Sequence, residues 1–293
     1  MAGTGGLDHA PDDREAPSPA VTVAEKAAAF KALHERPGVF VIPNPWNAGS
    51  ARMLAALGFE ALATTSLGLA YSLGRRDAQG LVSLDETLQD AAEIVEATPL
   101  PVSADLQNGF GDEPEVVAET IRRAGAVGLV GGSIEDATTR QGDPIYPQTQ
   151  AVERVTAAVE AARSLPFPFV VTARAENLLY GRDDLDDTIA RLQAYETAGA
   201  DVLYAPGLRA IEDIRTVCAA VSKPVNVLAL RGMDLESLAA AGVRRVSLGS
   251  AFAIAALSAF LDGAKEVREQ GTFGFLERSA TSRDLGPYMQ GRD

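Results

Sequence analysis

The stretch "RAGAVGLVGGSIED", residues 123–136, decides how the chain is read. A helix-like end stops at Gly128, a short apolar run follows, and the run closes on Ser133, Glu135 and Asp136. Glycine suits the position just past a helix because it accepts positive φ at little cost. An apolar run of this length bounded by small and polar residues reads as a buried parallel strand. The same grammar returns in "LAALGFEALATTS" (54–66), "YETAGADVLYAPG" (195–207) and "LAAAGVRRVSLGS" (238–250). Between these units stand "VFVIP" (39–43), "LPVSADL" (100–106), "FPFVVTARAE" (167–176) and "KPVNVLAL" (223–230), each an apolar run with a polar end.

Those segments supply eight strands. Helical patterns separate them at 47–57, 84–97, 114–125, 149–163, 184–198, 209–221, 234–241 and 250–269. Eight alternating β/α units in about 250 residues fit an α/β TIM (β/α)8 barrel better than an open doubly wound sheet. A dinucleotide fold would place G-x-G-x-x-G after the first strand, where "IPNPWNAGS" stands instead. The segment 20–38 adds a helix before the first strand, and residues after 270 form a C-terminal helical arm. Residues 1–20, polar and rich in Pro and Gly, are expected to be a disordered tail, leaving 21–293 as a single barrel domain.

Net charge is −14, which repels phosphate backbones and anionic lipid, so nucleic acid and membrane are not expected partners. One cysteine, Cys218, excludes a disulfide framework and suits a cytoplasmic location. Its place within a helical pattern marks it as packing.

Barrel enzymes work at the C-terminal ends of the strands. The polar residues there are Asn44, Asn47, Thr64, Thr65, Ser66, Asp105, Gln107, Ser133, Glu135, Asp136, Arg174, Glu176, Tyr204, Asn226, Ser247 and Ser250. Elimination narrows the chemistry. A Schiff base needs a lysine on a strand facing the mouth, and Lys26, Lys31, Lys223 and Lys265 all fall elsewhere. His9 and His34 precede the first strand, which excludes histidine-built zinc sites and Ser-His-Asp triads. Oxygen ligands and a guanidinium remain. Asp105 and Glu135, from neighbouring strands, can converge on one Mg²⁺ with Gln107 and water completing the shell. The alternative is that these acids are solvated loop residues or ion-pair partners of Arg174.

The motifs "VIPNPWNAGSARMLAALGFEALATTSLGLAYSLGRRD", "ADLQNGFG", "SIED", "TARAEN" and "KPVNVLA" occur in this order over residues 27–260. Together they resemble the isocitrate lyase/phosphoenolpyruvate mutase superfamily, with the nearest likeness to its short carboxyphosphonoenolpyruvate-mutase-like or oxaloacetate-decarboxylase-like branch. The resemblance implies a Mg²⁺-dependent lyase, with Mn²⁺ as the other candidate ion. Such an enzyme cleaves a C–C bond of a small 2-oxo or 2-hydroxy carboxylate, by decarboxylation or retro-aldol cleavage, through a pyruvate-like enolate. It implies metal binding through Asp105 and Glu135, enolate stabilisation by Arg174, and a carboxylate grip by Ser66, Leu67 and Gly68. Asp77 falls near the metal shell, and Asn226 joins the substrate-binding residues. A homotetramer with exchanged C-terminal helices is also implied. The other readings are a P–C bond mutase or hydrolase, and a non-catalytic ligand-binding barrel.

Three departures bear on these expectations. The loop "ATTRQGDPIYP" (137–147) lacks the Lys-Lys-Cys-Gly-His segment of isocitrate and methylisocitrate lyases, which argues against those two activities; water or a loop tyrosine, Tyr71 or Tyr146, is then the expected proton donor. Gln107 replaces an acid, and "NVLALRG" puts Arg231 after strand 7, where solvent is its expected surrounding. Gly109 and Gly111 are expected to turn the chain sharply beside the metal before the helix near Pro114.

Overall fold

A computed structural model describes residues 21–289 except Ala78 and Gln141; the tail expected at 1–20 lies outside the described residues. Eight parallel strands run β1 (Phe40–Ile42), β2 (Leu62–Ala63), β3 (Val102–Asp105), β4 (Gly131–Glu135), β5 (Val170–Arg174), β6 (Val202–Tyr204), β7 (Val225–Leu228) and β8 (Arg245–Ser247). Their order in the sheet is β1-β8-β7-β6-β5-β4-β3-β2, each neighbouring pair parallel. At the seam between β1 and β2, Ala63 N donates to Pro43 O at 3.0 Å. Asn44 ties the same seam by donating to Thr64 O and accepting from Leu248 N. The result is an α/β TIM barrel closed partly by a side-chain amide.

Helix α1 (Val23–Glu35) precedes the barrel, opened by a capping box in which Thr22 and Glu25 satisfy each other's amides. Buried Phe30 packs with Phe40, Ile42 and Val202 at the strands' N-terminal ends, and Lys26 donates to Val95 O and Thr98 O. The outer ring is α2 (Ala48–Ala56), α4 (Leu84–Ala97), α5 (Pro114–Ala126), α6 (Gln148–Arg163), α7 (Leu185–Thr197), α8 (Ile211–Ala220), α9 (Leu235–Ala240) and α10 (Ala251–Gln270). Two apolar cores lie between ring and strands. One gathers around Leu106, Ile121 and Phe169, the other around Leu192, Tyr195 and Val246.

One element departs from the sequence reading. Ser66, Leu67 and Gly68, expected to grip the substrate carboxylate from a loop, open helix α3 (Ser66–Ser72), with Thr65 as its cap. Gly68 is required there because a Cβ would stand 2.7 Å from Thr65 Cγ2 and 2.8 Å from the Trp46 Cβ. Beyond α10 the arm breaks into 3₁₀ turns at 274–278 and 286–289 and the four-residue helix α11 (Ser282–Leu285). The arm's end returns to the barrel, where Arg52 donates to Met289 O. No helix among the described residues is long and apolar enough to cross a membrane.

Candidate active site

The strands' C-terminal ends surround a cavity of about 210 Å³ lined by Asn44, Thr64, Thr65, Ser66, Asp77, Asp105, Ser133, Arg174, Tyr204, Asn226, Arg245, Ser247 and Ser250, among others. A larger cavity of about 620 Å³ opens at the barrel's other end, between α1 and the segments 162–170 and 223–224. Its walls come from N-terminal strand ends, where barrels keep stability rather than chemistry. Most of the polar residues that strand-end reasoning collects line the smaller one; Asn47, Gln107, Glu135, Asp136 and Glu176 do not.

Arg174 is the hub. Its Nη1 lies 3.2 Å from Asp105 Oδ1, its Nη2 3.2 Å from Glu135 Oε2, and its Nε 2.8 Å from Glu176 Oε1. Strands β4 and β5 set Glu135 level with Arg174, while Asp105 on β3 is level with Ser133 and Thr172, two residues lower, and the long Arg174 side chain spans both levels. Ion pairing with Arg174, left open by the sequence, is therefore present. It also concentrates charge: three carboxylates share one guanidinium, an excess of two negative charges in a largely buried space. Burial drives the Glu135 carboxyl well above its ordinary range, opposed by Arg174 and reinforced by Glu176, Asp105 and Asp136. Glu176 is raised for the same first reason and held down by Arg174. Burial works against the Arg174 charge, but Glu176, Glu135 and Asp105 outweigh it and raise its proton affinity.

This donor set fits a hard, hydrated cation. Mg²⁺ binds through one or two carboxylates and keeps several waters; Asp105 and Glu135 are two such carboxylates, each paired here with Arg174. Among the described residues no group of three or more His, Cys, Asp or Glu side chains is arranged to hold a metal ion.

The loop after Asp105 is built under strain. Gln107 has φ 49° and Phe110 φ 62°, the positive-φ non-glycine residues of the described chain, and Gly109 between them has φ 79°. Left-handed non-glycine residues cost on the order of 1–2 kcal/mol each. Gly109 turns the chain as expected, but Gly111 serves differently: a Cβ there would meet Val116 at 2.7 Å. The second left-handed turn belongs to Phe110. Arg154 holds the loop from beneath by donating to Asn108 O, Gly111 O and Asp112 O.

The other sequence candidates fall in distinct places. Ser66 donates its amide to Asp105 Oδ2 at 3.4 Å and its hydroxyl to Asp77 Oδ2 at 3.3 Å, so both sit at the cavity with the acids. Leu67 and Gly68 follow in the first turn of α3, where the Gly68 amide is already bonded to Thr65 Oγ1. Asn226 is buried in the cavity wall, donating to Ser247 Oγ and accepting from Arg245 Nε. Gln107 is off the cavity lining, and its carbonyl accepts from Glu135 N at 2.9 Å.

Tyr146, a candidate proton donor, is fully buried and donates to Asp112 Oδ1 at 2.5 Å; burial and that bond push its hydroxyl up to about 12. Tyr71 is exposed on α3, away from the lining residues. Neither reaches the mouth. Asp136 faces the helices, accepting from Arg191 and Tyr195 of α7 and from Glu176 N. Cys218 is half-buried packing whose thiol burial pushes up to about 11, and Arg231 is exposed.

Sequence reasoning missed Arg245 and under-weighted Glu176 and Tyr204. Tyr204 lies beneath Arg174, whose guanidinium carbon is 5.1 Å from the ring centre. Alternation points to Arg245 once Ser247 is known to line the mouth, because residues two apart on a strand share a face.

Residues 30–268 match the sequence profile of the phosphoenolpyruvate phosphomutase family. The chain belongs to this family. A protein of Burkholderia cenocepacia J2315, assigned broadly as a lyase or mutase, has a crystal structure 57% identical with a TM-score of 0.89, covering 92% of this chain and 98% of that one. The crystal structure of 2,3-dimethylmalate lyase, a member of the phosphoenolpyruvate mutase/isocitrate lyase superfamily, is 27% identical with a TM-score of 0.81 over 92% of this chain and 95% of its own. The oxaloacetate decarboxylase of Marinomonas sp. (strain MWYL1) is 28% identical over 263 residues, 85% of this chain and 88% of that protein. The superfamily is one of lyases and mutases, and its relatives span nearly the whole barrel.

Proposed function

We propose that the mouth cavity is the active site of a Mg²⁺-dependent carbon–carbon lyase that cleaves a small 2-oxo or 2-hydroxy carboxylate by decarboxylation or retro-aldol cleavage. One observation carries the reading: Arg174 is held by three carboxylates at the rim of a cavity sized for a molecule of a few carbons. In this reading Asp105 and Glu135 hold the cation, Gln107 supports Glu135 through its backbone, and Mn²⁺ serves in place of Mg²⁺. The bound cation supplies Lewis-acid stabilisation of negative charge on oxygen.

The side chains do the rest. The Leu67 amide in the first turn of α3 donates to the substrate carboxylate, the Ser66 hydroxyl turns from Asp77 to join it, and Asn226 limits its depth. On a 2-oxo acid such as oxaloacetate, loss of CO2 leaves the electron pair of the broken bond on the pyruvate fragment as an enolate, which water protonates. On a 2-hydroxy acid the hydroxyl gives up its proton and becomes the carbonyl of the 2-oxo product, and the electron pair leaves on the other carboxylate fragment, which takes up a proton. Arg174 donates toward the enolate oxygen, where charge is greater than in the substrate, so it favours the transition state over the ground state. Asp77, bonded to Ser66, holds the hydroxyl at the cavity until the carboxylate arrives.

Phosphoryl chemistry needs further cations around the transferring group. Arg140, the basic residue of loop 137–147, is committed to Asp112 and Asp143. That takes loop 137–147 out of phosphoryl contact and leaves Arg245, which lines the mouth, as the cation a phosphoryl group would need; C–C cleavage stays the first reading. A cytoplasmic homotetramer completes the proposal. Phe252, Ile254, Leu257, Phe260 and Leu261 leave α10 with a broad exposed apolar surface, Phe260 at 73%, which an exchanged helix would cover. Light scattering should give a mass near four subunits.

The test incubates protein and Mg²⁺ with oxaloacetate, 2-methylisocitrate, 2,3-dimethylmalate and phosphonopyruvate while pyruvate and other 2-oxo products are followed. Product from at least one C–C substrate, abolished by chelator, is expected. Product from phosphonopyruvate alone would overturn the C–C reading, and silence together with no Mg²⁺-dependent binding of oxalate would leave a non-catalytic barrel.

A further inference from the structure

Arg245 is 5% exposed, lines the mouth cavity and stands at the start of β8. Its Nε donates to Asn226 Oδ1 at 2.9 Å, its Nη2 to Thr172 Oγ1 at 3.0 Å, and its Nη1 lies 3.3 Å from His34 Nε2. An amide, a hydroxyl and an imidazole are its polar partners. His34 is uncharged at neutral pH, since burial first and Arg245 second pull its pKa down to about 3. Among the described residues no carboxylate forms an ion pair with Arg245. Burial lowers its own pKa to about 10, which still leaves the guanidinium charged at pH 7.

A buried charge without a counter-charge is among the more expensive things a fold can contain. Neutral hydrogen bonds fix its position but leave its field intact, and that field enters the cavity it lines. Arg174 differs in that its charge is more than cancelled by Asp105, Glu135 and Glu176. The net positive part of the cavity is therefore where the Arg245 guanidinium stands, rooted on β8 and reaching Thr172 of β5.

We infer that Arg245 is the charge-selecting residue of the mouth, a fixed guanidinium that reaches from β8 to Thr172 on β5 without an acid partner and makes affinity rise with the negative charge of the ligand. This rests on the proposed anion-binding function of the cavity. Arg245 acts as a positioning residue, holding Asn226 in place, and through its field on the bound anion. At an effective dielectric of about 20 and a separation of about 8 Å, one charge changes binding by roughly tenfold or more per unit of ligand charge.

The test uses calorimetry in Mg²⁺ with oxalate and oxamate, which share size and shape but carry two charges and one. Arg245→Gln should weaken oxalate about tenfold more than oxamate, and Arg245→Lys should keep the wild-type preference. His34→Glu sets a carboxylate against Arg245 from the α1 side, remote from the ligand, and should shift the preference as Arg245→Gln does. Thermal scans verify folding, and if Arg245→Gln does not fold, His34→Glu and Arg245→Lys carry the comparison. Equal losses for both ligands would overturn the inference while leaving the anion site standing. A wild-type protein that binds neither ligand would overturn the site reading, and the inference with it.

Discussion

On the β3–β5 wall of the barrel, Arg174 is ringed by Asp105, Glu135 and Glu176. Arg245, rooted on β8, donates instead to Asn226 of β7, Thr172 of β5 and His34 of α1, none of them an acid. Both guanidinium groups are buried and both line one cavity, yet their surroundings have opposite sign. The acidic wall suits a cation and the basic region around Arg245 an anion, so a small anion bridging a divalent ion and Arg245 satisfies both. A barrel interior used only for packing would have filled these positions with branched apolar side chains.

The strongest way to break that contrast is at Arg174. Its three nitrogens each engage a different carboxylate, a geometry that one ammonium cannot reproduce. Arg174→Lys keeps the charge and loses the fork. We expect kcat/KM on the cleaved substrate to fall about 10³-fold, in the range set by removal of a transition-state donor, with Mg²⁺-dependent oxalate heat retained. A change of less than tenfold would remove Arg174 from the chemistry and reduce the β3–β5 wall to a structural ion-pair cluster.

The acidic wall also has a support behind it. Asp136 accepts from Arg191 at 2.9 Å, Tyr195 at 2.6 Å and Glu176 N at 2.7 Å. Asp136→Ala leaves Arg191 with only the partly exposed Asp187 as an acidic partner. Breaking a buried pair in this way costs about 3–5 kcal/mol, which urea denaturation should read as a lower midpoint at unchanged slope. Arg245→Gln removes a buried charge that has no acid to strand, so its loss of stability should be the smaller. The reverse order would show that the two guanidinium sites do not differ as described.

The fold was legible because each unit repeats one local rule: a helix stopped at glycine, then a short apolar strand with a polar end. Asp105, Glu135 and Arg174 were legible for a related reason, since strand ends in a barrel face one mouth whatever the intervening loops do. Three features were not. Helix α3 is a single short element whose cap, Thr65, reads equally well as the end of a strand. Tyr146 follows a loop whose path depends on Asp112, 34 residues away. Arg245 sits beside Arg244 in "GVRRVSLG", and only register shows which of the two is inside; Arg244 instead reaches outward to Arg36 O. Long-range pairing set all three, and local pattern carries little of it.

The basic region can be sharpened from below through His34. The imidazole is wedged between Phe30 and Phe40, with ring centres at 4.7 and 5.1 Å, and its Nδ1 bonds to Phe30 O at 2.8 Å. The bond to that carbonyl favours the charged form, but burial and Arg245 prevail and hold the pKa near 3. In the unfolded chain the ring titrates near 6.5. Between those values the unfolded state carries the extra proton, so stability rises with pH across the window and His34 contributes no further slope above it. Between pH 6.5 and pH 5 the difference is on the order of 2 kcal/mol. His34→Gln, which keeps a polar group near Arg245, should flatten that part of the denaturation-midpoint profile. In Arg245→Gln the slope should shrink but persist, because burial, the larger cause, remains. A slope unchanged by His34→Gln would place the acid sensitivity of the fold elsewhere and detach His34 from the basic region.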